Sequence, residues 1–199
     1  MKKRIVTLKR KTKETDITVK LNIDGTGKSK LNTGIGLLDH MLELFSFHGL
    51  FDLDISAKGD LKVDIHHTNE DIGIVLGDAF KKALGDKLGI RRFGSASVPM
   101  EDVVASVALD ISGRGSYKLK RENKTEPQAQ DGYSMKDVEH LFESLAKRLG
   151  MNLSISINPD SDLHTTLEPI FKALGIALDQ ATQVDPRRKG VPSTKGVID

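Results

Sequence analysis

Two short stretches of the sequence carry nearly the same set of metal-binding side chains. The first reads His66-His67-Thr68-Asn69-Glu70 and the second His164-Thr165-Thr166-Leu167-Glu168. In each, a histidine precedes a glutamate by four residues, and on a helix residues i and i+4 share a face. His66 with Glu70 can therefore hold one ion, and His164 with Glu168 another. His67 and Thr165 point about 100° away around the helix axis. Neither can serve its neighbour's ion without strain, so His67 is expected to reach toward the ion held by the other stretch. A further histidine, His40 or His140, lies some 25 residues upstream of each stretch. Imidazole and carboxylate without thiolate suit Mn, Fe, Co, Ni or Zn, and the chain has no cysteine. A single histidine near a helix start is more often a cap or a surface residue. Here five of the six histidines fall on cluster positions related by a repeat, which that explanation does not cover.

The repeat runs well beyond these stretches. His40, Glu43, Leu53 and Ile55 match His140, Glu143, Leu153 and Ile155 at an offset of 100 residues. His66, Glu70, Ile72, Leu76, Gly77 and Ala79 match His164, Glu168, Ile170, Leu174, Gly175 and Ala177 at an offset of 98. Residues 16–25 match residues 104–113 at an offset of 88. Three blocks in one order mark an internal duplication. The halves are expected over residues 1–90 and 91–185, followed by a basic tail at 186–199, with one catalytic domain overall.

Each half reads as strand, helix, strand, helix. Period-2 alternation at Ile17, Val19, Leu21 and Ile23, and at Ala105, Val107, Leu109 and Ile111, predicts the first strands. Helical spacing follows near residues 37–48 and 135–149, with Leu38, Met41, Leu42 and Phe45 on one side of the former. Short strands come next at 53–56 and 153–156, and longer helices at 68–84 and 165–181. Ile72, Leu76, Ala79, Phe80 and Ala83 make the apolar face of the first long helix. Such a half leaves one sheet face uncovered, so two halves with sheets facing a shared core form the expected α+β fold. Residues 113–115 read as a tight turn, residues 121–132 as a mobile polar loop and the tail as extended.

Composition excludes several classes. No apolar run approaches the roughly 18 residues of a membrane span, and Met1-Lys2-Lys3-Arg4 lacks the apolar stretch of a signal peptide. The absence of cysteine removes a disulfide scaffold and makes the cytoplasm the default compartment. A net charge of +2, from 30 basic and 28 acidic residues, with no Trp, argues against nucleic acid as a partner.

At these residues the sequence resembles the imidazoleglycerol-phosphate dehydratase family, over nearly the whole chain. The likeness is carried by Lys13-Glu14-Thr15, Leu38-Asp39-His40-Met41-Leu42 and Asp64-Ile65-His66-His67-Thr68-Asn69-Glu70-Asp71. It continues through Arg92-Phe93-Gly94, Ser112-Gly113-Arg114, Val138-Glu139-His140, Glu168-Pro169-Ile170-Phe171-Lys172-Ala173 and Pro192-Ser193-Thr194-Lys195-Gly196-Val197. The resemblance implies a ribosomal protein S5 domain 2-like fold in two copies. It also implies a homo-oligomer, usually a 24-mer built from trimers, with active sites at subunit boundaries. It implies manganese, two ions per site: one held by His40, His67, His164 and Glu168, the other by His66, Glu70 and His140. The implied reaction is a hydro-lyase step of histidine biosynthesis, turning imidazoleglycerol phosphate into imidazole-acetol phosphate. Two metals flanking the imidazole favour its imidazolate form, the ring expels the adjacent hydroxyl, and proton loss from the next carbon gives an enol and then the ketone. Glu14, His67 and Glu168 are the implied catalytic residues, Glu14 as the acid/base that moves the proton. Glu14, His40, Arg92, Arg114, Lys172, Ser193 and Lys195 are the implied substrate-binding residues, with Arg forks and Lys charges for the phosphate. Lys172 lies one helical turn beyond Glu168, so one helix can present both a metal ligand and a phosphate ligand.

The chain departs from the family pattern at Thr165, where a second ligand histidine is usual, and at Ser154 and Leu163. All three departures are expected around the site of His66, Glu70 and His140, which should bind its ion more weakly. Two other functions compete with an active dehydratase: a metal-binding relative with weakened or altered chemistry, and an RNA-associated α+β module. The retained phosphate set disfavours the first, and the balanced charge with clustered histidines disfavours the second.

Overall fold

The alternating apolar residues at Ile17, Val19 and Leu21, and at Ala105, Val107 and Leu109, form strands with one face fully buried. The computed structural model describes residues 3–122, 127–159 and 161–198. Its first half runs β1 (Ile5–Lys11), β2 (Thr15–Asn22), β3 (Ser29–Asn32), α1 (Gly36–Gly49), β4 (Asp52–Gly59) and α2 (Ile65–Leu84). The second runs β5 (Phe93–Met100), β6 (Val103–Asp110), β7 (Ser116–Arg121), α3 (Met135–Leu149), β8 (Asn152–Asn158) and α4 (Leu163–Thr182). The sheet orders, β1-β2-β4-β3 and β5-β6-β8-β7, are the same topology twice. In each, the second central strand is antiparallel to one neighbour and parallel to the edge strand on its other side.

Each half thus has two more strands than its periodicity announces. The extra strands, β1, β3, β5 and β7, are all sheet edges. β1 alternates Ile5, Thr7 and Lys9 with half-buried Val6 and Leu8, and β5 alternates Ser95 and Ser97 with half-buried Ala96 and Val98. Half-covered strands of this kind have a weak hydrophobic pattern and form because a central strand offers them a free ladder. Of the loop at 121–132, residues 123–126 lie outside the described residues. The tail is held back against the body: Asp185 N–H donates to Gly89 O (2.9 Å) and Gly89 N–H to Gly190 O (3.1 Å).

The shared core is filled by helices lying between the sheets. α2 packs on β1, β2 and β4, and α4 on β5 and β6. The halves meet through α1 against α4 and α2 against α3. Gly175 on α4 makes the first contact close, since a Cβ there would meet Phe45 O at 2.5 Å. Its repeat counterpart, Gly77 on α2, does the same for α3, where a Cβ would meet Leu145 O at 2.8 Å. Phe45 and Leu145 are themselves related by the repeat, so the duplication builds the same helix crossing twice. Each crossing pairs a helix of one half with a helix of the other.

Candidate metal centre

Every expected metal ligand except His40 and His140 lies in the opening turns of α2 or α4. Asp64 caps α2 by accepting from His66 N–H (3.0 Å), and Asp162 caps α4 by accepting from Thr165 N–H (3.1 Å). These caps satisfy free N–H groups and fix where the first helical side chains point. His40 follows Asp39 on α1, and Asp39 accepts from Thr33 N–H (3.0 Å) and Thr33 Oγ1 (2.7 Å). The Ser134–Asp137 capping box starts α3, one turn before His140.

At the α1–α4 crossing three ligands converge. His40 Nε2 stands 3.3 Å from Glu168 Oε1, and His164 Nε2 stands 2.9 Å from the same oxygen. The two rings are stacked, with centroids 5.2 Å apart. Among the described residues this trio can bring one ligand atom each within 4.8 Å of the others. Ligands bound about 2.0–2.2 Å from one ion stand about 3 Å apart at tetrahedral or octahedral angles, so the donor set and its spacing fit a metal. Lys172 Nζ pairs with the other Glu168 oxygen at 2.5 Å. Burial pushes the Glu168 carboxyl up, but Lys172, His164 and His40 together outweigh it and hold the group at about 2.

At the α2–α3 crossing the counterparts meet differently. His66 Nε2 is 3.2 Å from Glu70 Oε2, and His66 Nδ1 is 2.7 Å from His140 Nδ1. His66 thus bridges its partners with opposite sides of one ring. Glu70 has no lysine at the next turn: the repeat counterpart of Lys172 is Ile74. The pair α2–α3 is tied by Tyr133, whose buried hydroxyl donates to Asn69 Oδ1 (2.8 Å), while Asn69 Nδ2 donates to Asp137 O (2.6 Å).

His67 is in neither cluster. Its Nδ1 lies 3.0 Å from Asp60 Oδ2. This hydrogen bond raises the His67 pKa, burial opposes it, and the Glu14, Asp60 and Asp64 charges reinforce it. Glu14 therefore sits within electrostatic reach of His67. It is exposed on the β1–β2 turn, and that hairpin is fastened to α2 by Asp71, which accepts from Thr15 Oγ1 (2.6 Å) and Arg10 Nε (2.8 Å).

Of the remaining expected substrate ligands, Arg92, Ser193 and Lys195 lie at the tail. Arg92 donates from Nε and Nη2 to both oxygens of Asp110 (2.6 and 3.0 Å) and from Nη1 to Pro192 O (2.9 Å), next to Ser193. Ser193 Oγ accepts from Lys195 N–H at 3.2 Å. Arg114 is exposed, its turn closed by Ser112 Oγ accepting from Arg114 N–H (3.2 Å). Lys172 alone of this set stands at a metal cluster.

Two features escape the sequence reading. His48, two turns along α1 from His40, lies within electrostatic reach of the same cluster: burial lowers its pKa first, the Lys172 charge adds to this, and Glu168 opposes. Its i+8 spacing from His40 is the signal that could have found it. The departures around Thr165 also do not form one group. Ser154 is exposed on the outer side of β8, because Leu153, Ile155 and Ile157 take the inward face. Leu163 is buried apolar packing. Thr165 itself is buried, 8% exposed, and its hydroxyl hydrogen-bonds the capping Asp162, holding that carboxyl below its usual range.

Residues 33–178 match the family model for imidazoleglycerol-phosphate dehydratase. The imidazoleglycerol-phosphate dehydratase of Acetivibrio thermocellus is 51% identical over 189 residues, covering 95% of this chain and 96% of that protein. Among solved structures, the enzyme of that name from Pyrococcus furiosus superimposes with a TM-score of 0.80 at 36% identity, covering 96% of this chain and 99% of that one. The one from Staphylococcus aureus does so with a TM-score of 0.80 at 31% identity, over 91% and 99%.

Proposed function

The chain belongs to the imidazoleglycerol-phosphate dehydratase family of hydro-lyases, and on that premise we propose that it converts imidazoleglycerol phosphate to imidazole-acetol phosphate and water in histidine biosynthesis. The observation that carries the reading is the meeting of His40, His164 and Glu168 at ligand spacing from two different halves of the chain. His40, His67, His164 and Glu168 would hold one manganese ion, and His66, Glu70 and His140 the second. When bound, the ions supply the Lewis acidity that favours the imidazolate form of the substrate ring. Glu14 moves the proton. It takes one from the side-chain carbon beyond the one losing its hydroxyl and passes it to that hydroxyl, which leaves as water. The resulting enol becomes the ketone by gaining a proton on carbon as its enol hydroxyl gives one up. The fastening of the Glu14 turn to α2 through Asp71 supports this role, since it keeps the carboxylate beside His67. Arg92, Arg114, Lys172, Ser193 and Lys195 bind the phosphate, with Arg92 holding the tail residue next to Ser193.

His67 lies on Asp60, outside both clusters, so a four-ligand set needs a second copy of the chain. This supports a homo-oligomer with sites at subunit boundaries, in this reading a 24-mer of trimers in the cytoplasm. Among the described residues no helix is long and apolar enough to cross a membrane. Each chain acts as one catalytic domain, because each cluster takes residues from both halves. One observation favours a second reading, a metal-binding relative with weakened or altered lyase activity: Thr165 is buried in a helix cap and cannot stand in for a ligand histidine. Incubating the purified protein with imidazoleglycerol phosphate over a range of Mn2+ concentrations tests both. Formation of imidazole-acetol phosphate supports the first, and no turnover at any concentration rejects it in favour of the second.

A further inference from the structure

Asp60 is an odd residue for the fold to keep. Its Oδ2 meets His67 Nδ1 at 3.0 Å, while its Oδ1 is buried with no hydrogen-bond partner among the described residues. A buried carboxylate oxygen left without a donor costs stability. The turn that carries Asp60 is nevertheless packed hard against α2. Gly59 lies on Thr68, where a Cβ would fall 1.9 Å from Thr68 Oγ1, so only glycine lets the end of β4 come this close. That approach brings Asp60 to the ring of the preceding residue, His67. The side chain is therefore placed with care in a position that stability alone does not reward.

A carboxylate can only accept, so His67 Nδ1 must carry the hydrogen. In the neutral ring, Nε2 is then the bare nitrogen, and it points away from Asp60. This is the arrangement by which a carboxylate fixes the tautomer and rotation of a metal-ligating imidazole and raises its basicity. We propose that Asp60 is the positioning residue of His67, presenting Nε2 outward as the ligand that completes the His40–His164–Glu168 cluster of a second copy of the chain. The inference rests on the reading of His67 as a ligand made above.

The test measures Mn2+ binding by isothermal titration to the assembled protein, together with the melting temperature of the metal-free form. Asp60→Ala weakens one of the two ions per chain 10- to 100-fold, without lowering the metal-free melting temperature. Asp60→Asn, whose amide oxygen still accepts from Nδ1–H, recovers most of that affinity. Wild-type Mn2+ affinity in Asp60→Ala, alongside a loss in His67→Ala, overturns the role of Asp60 and leaves the ligand reading standing. Unchanged binding in His67→Ala overturns both. Where Asp60→Ala fails to fold, solid-state NMR of 15N-histidine protein decides, with the His67 signal identified by its loss in His67→Ala. An Nδ1–H tautomer supports the proposal, and an Nε2–H tautomer overturns it.

Discussion

The α1–α4 and α2–α3 crossings descend from one duplicated unit, yet they are chemically unequal. Both use a helix-start His–Glu pair, a histidine from the other half, and a glycine that lets the helices touch. At the first crossing the glutamate faces two imidazoles and a lysine and is 13% exposed. At the second it faces one imidazole, with Ile74 where the lysine would be, and is 43% exposed. The residue one step around the helix differs as well: His67 is half-buried and hydrogen-bonded to Asp60, and Thr165 is buried in a cap. Duplication supplied two equal frames. Side-chain substitutions then made one a convergent His–His–Glu trio and the other a looser bridge.

The sharpest way to break this comparison is to remove each glutamate in turn. Glu168→Gln should lower affinity for the tighter ion about 100-fold or more, with turnover falling in parallel. Glu70→Gln should affect only the weaker ion. Native mass spectrometry across free Mn2+ concentrations separates the two, and equal losses from both variants would refute the inequality.

Gly175→Ala and Gly77→Ala test the shared frame. Each new methyl group strikes a facing carbonyl, at 2.5 Å from Phe45 O and 2.8 Å from Leu145 O respectively. Overpacking of this kind costs about 1–3 kcal/mol, of which alanine's better helix propensity returns up to about 1 kcal/mol. Thermal melting should show both variants destabilised, Gly175→Ala the more.

The lysine difference has a pH signature. The folded Glu168 carboxyl, at about 2, lies below its ordinary value of 4.5. It therefore contributes stability that is present above pH 4.5 and is lost as pH falls toward 2, a few kcal/mol at most. Lys172→Met should flatten the acid limb of the metal-free unfolding curve over that range. An acid limb identical to wild type would mean that Lys172 does not hold the carboxylate.

Thr165→His should have the smallest effect. It returns an imidazole to the second cluster's missing position, and we expect about a tenfold gain in second-ion affinity (about 1.4 kcal/mol). The lost hydroxyl–Asp162 contact and the larger ring in a buried site should lower the melting temperature. No gain in second-ion affinity would show that Thr165 is not what weakens the site.

The sequence by itself determined the duplication, the four helices and the four central strands, and it singled out the histidines and carboxylates proposed to carry the chemistry. Those features rest on local periodicity and on i,i+4 spacing, which act within one element. It also located His66 with Glu70 and His164 with Glu168, since a helix places such pairs together unaided. Only the tertiary structure decided that His40 meets Glu168, 128 residues away, and that His140 meets His66. Those meetings depend on which helix faces can approach, and the glycines at 77 and 175 set that approach. The tertiary structure likewise decided that Ser154 faces outward, that Thr165 is buried in a cap, and that His67 is held by a carboxylate from the end of β4. The physical reason is the same in each case. A side chain's type is fixed by its codon, whereas the direction it points, and what it meets there, depends on packing between segments far apart in the chain.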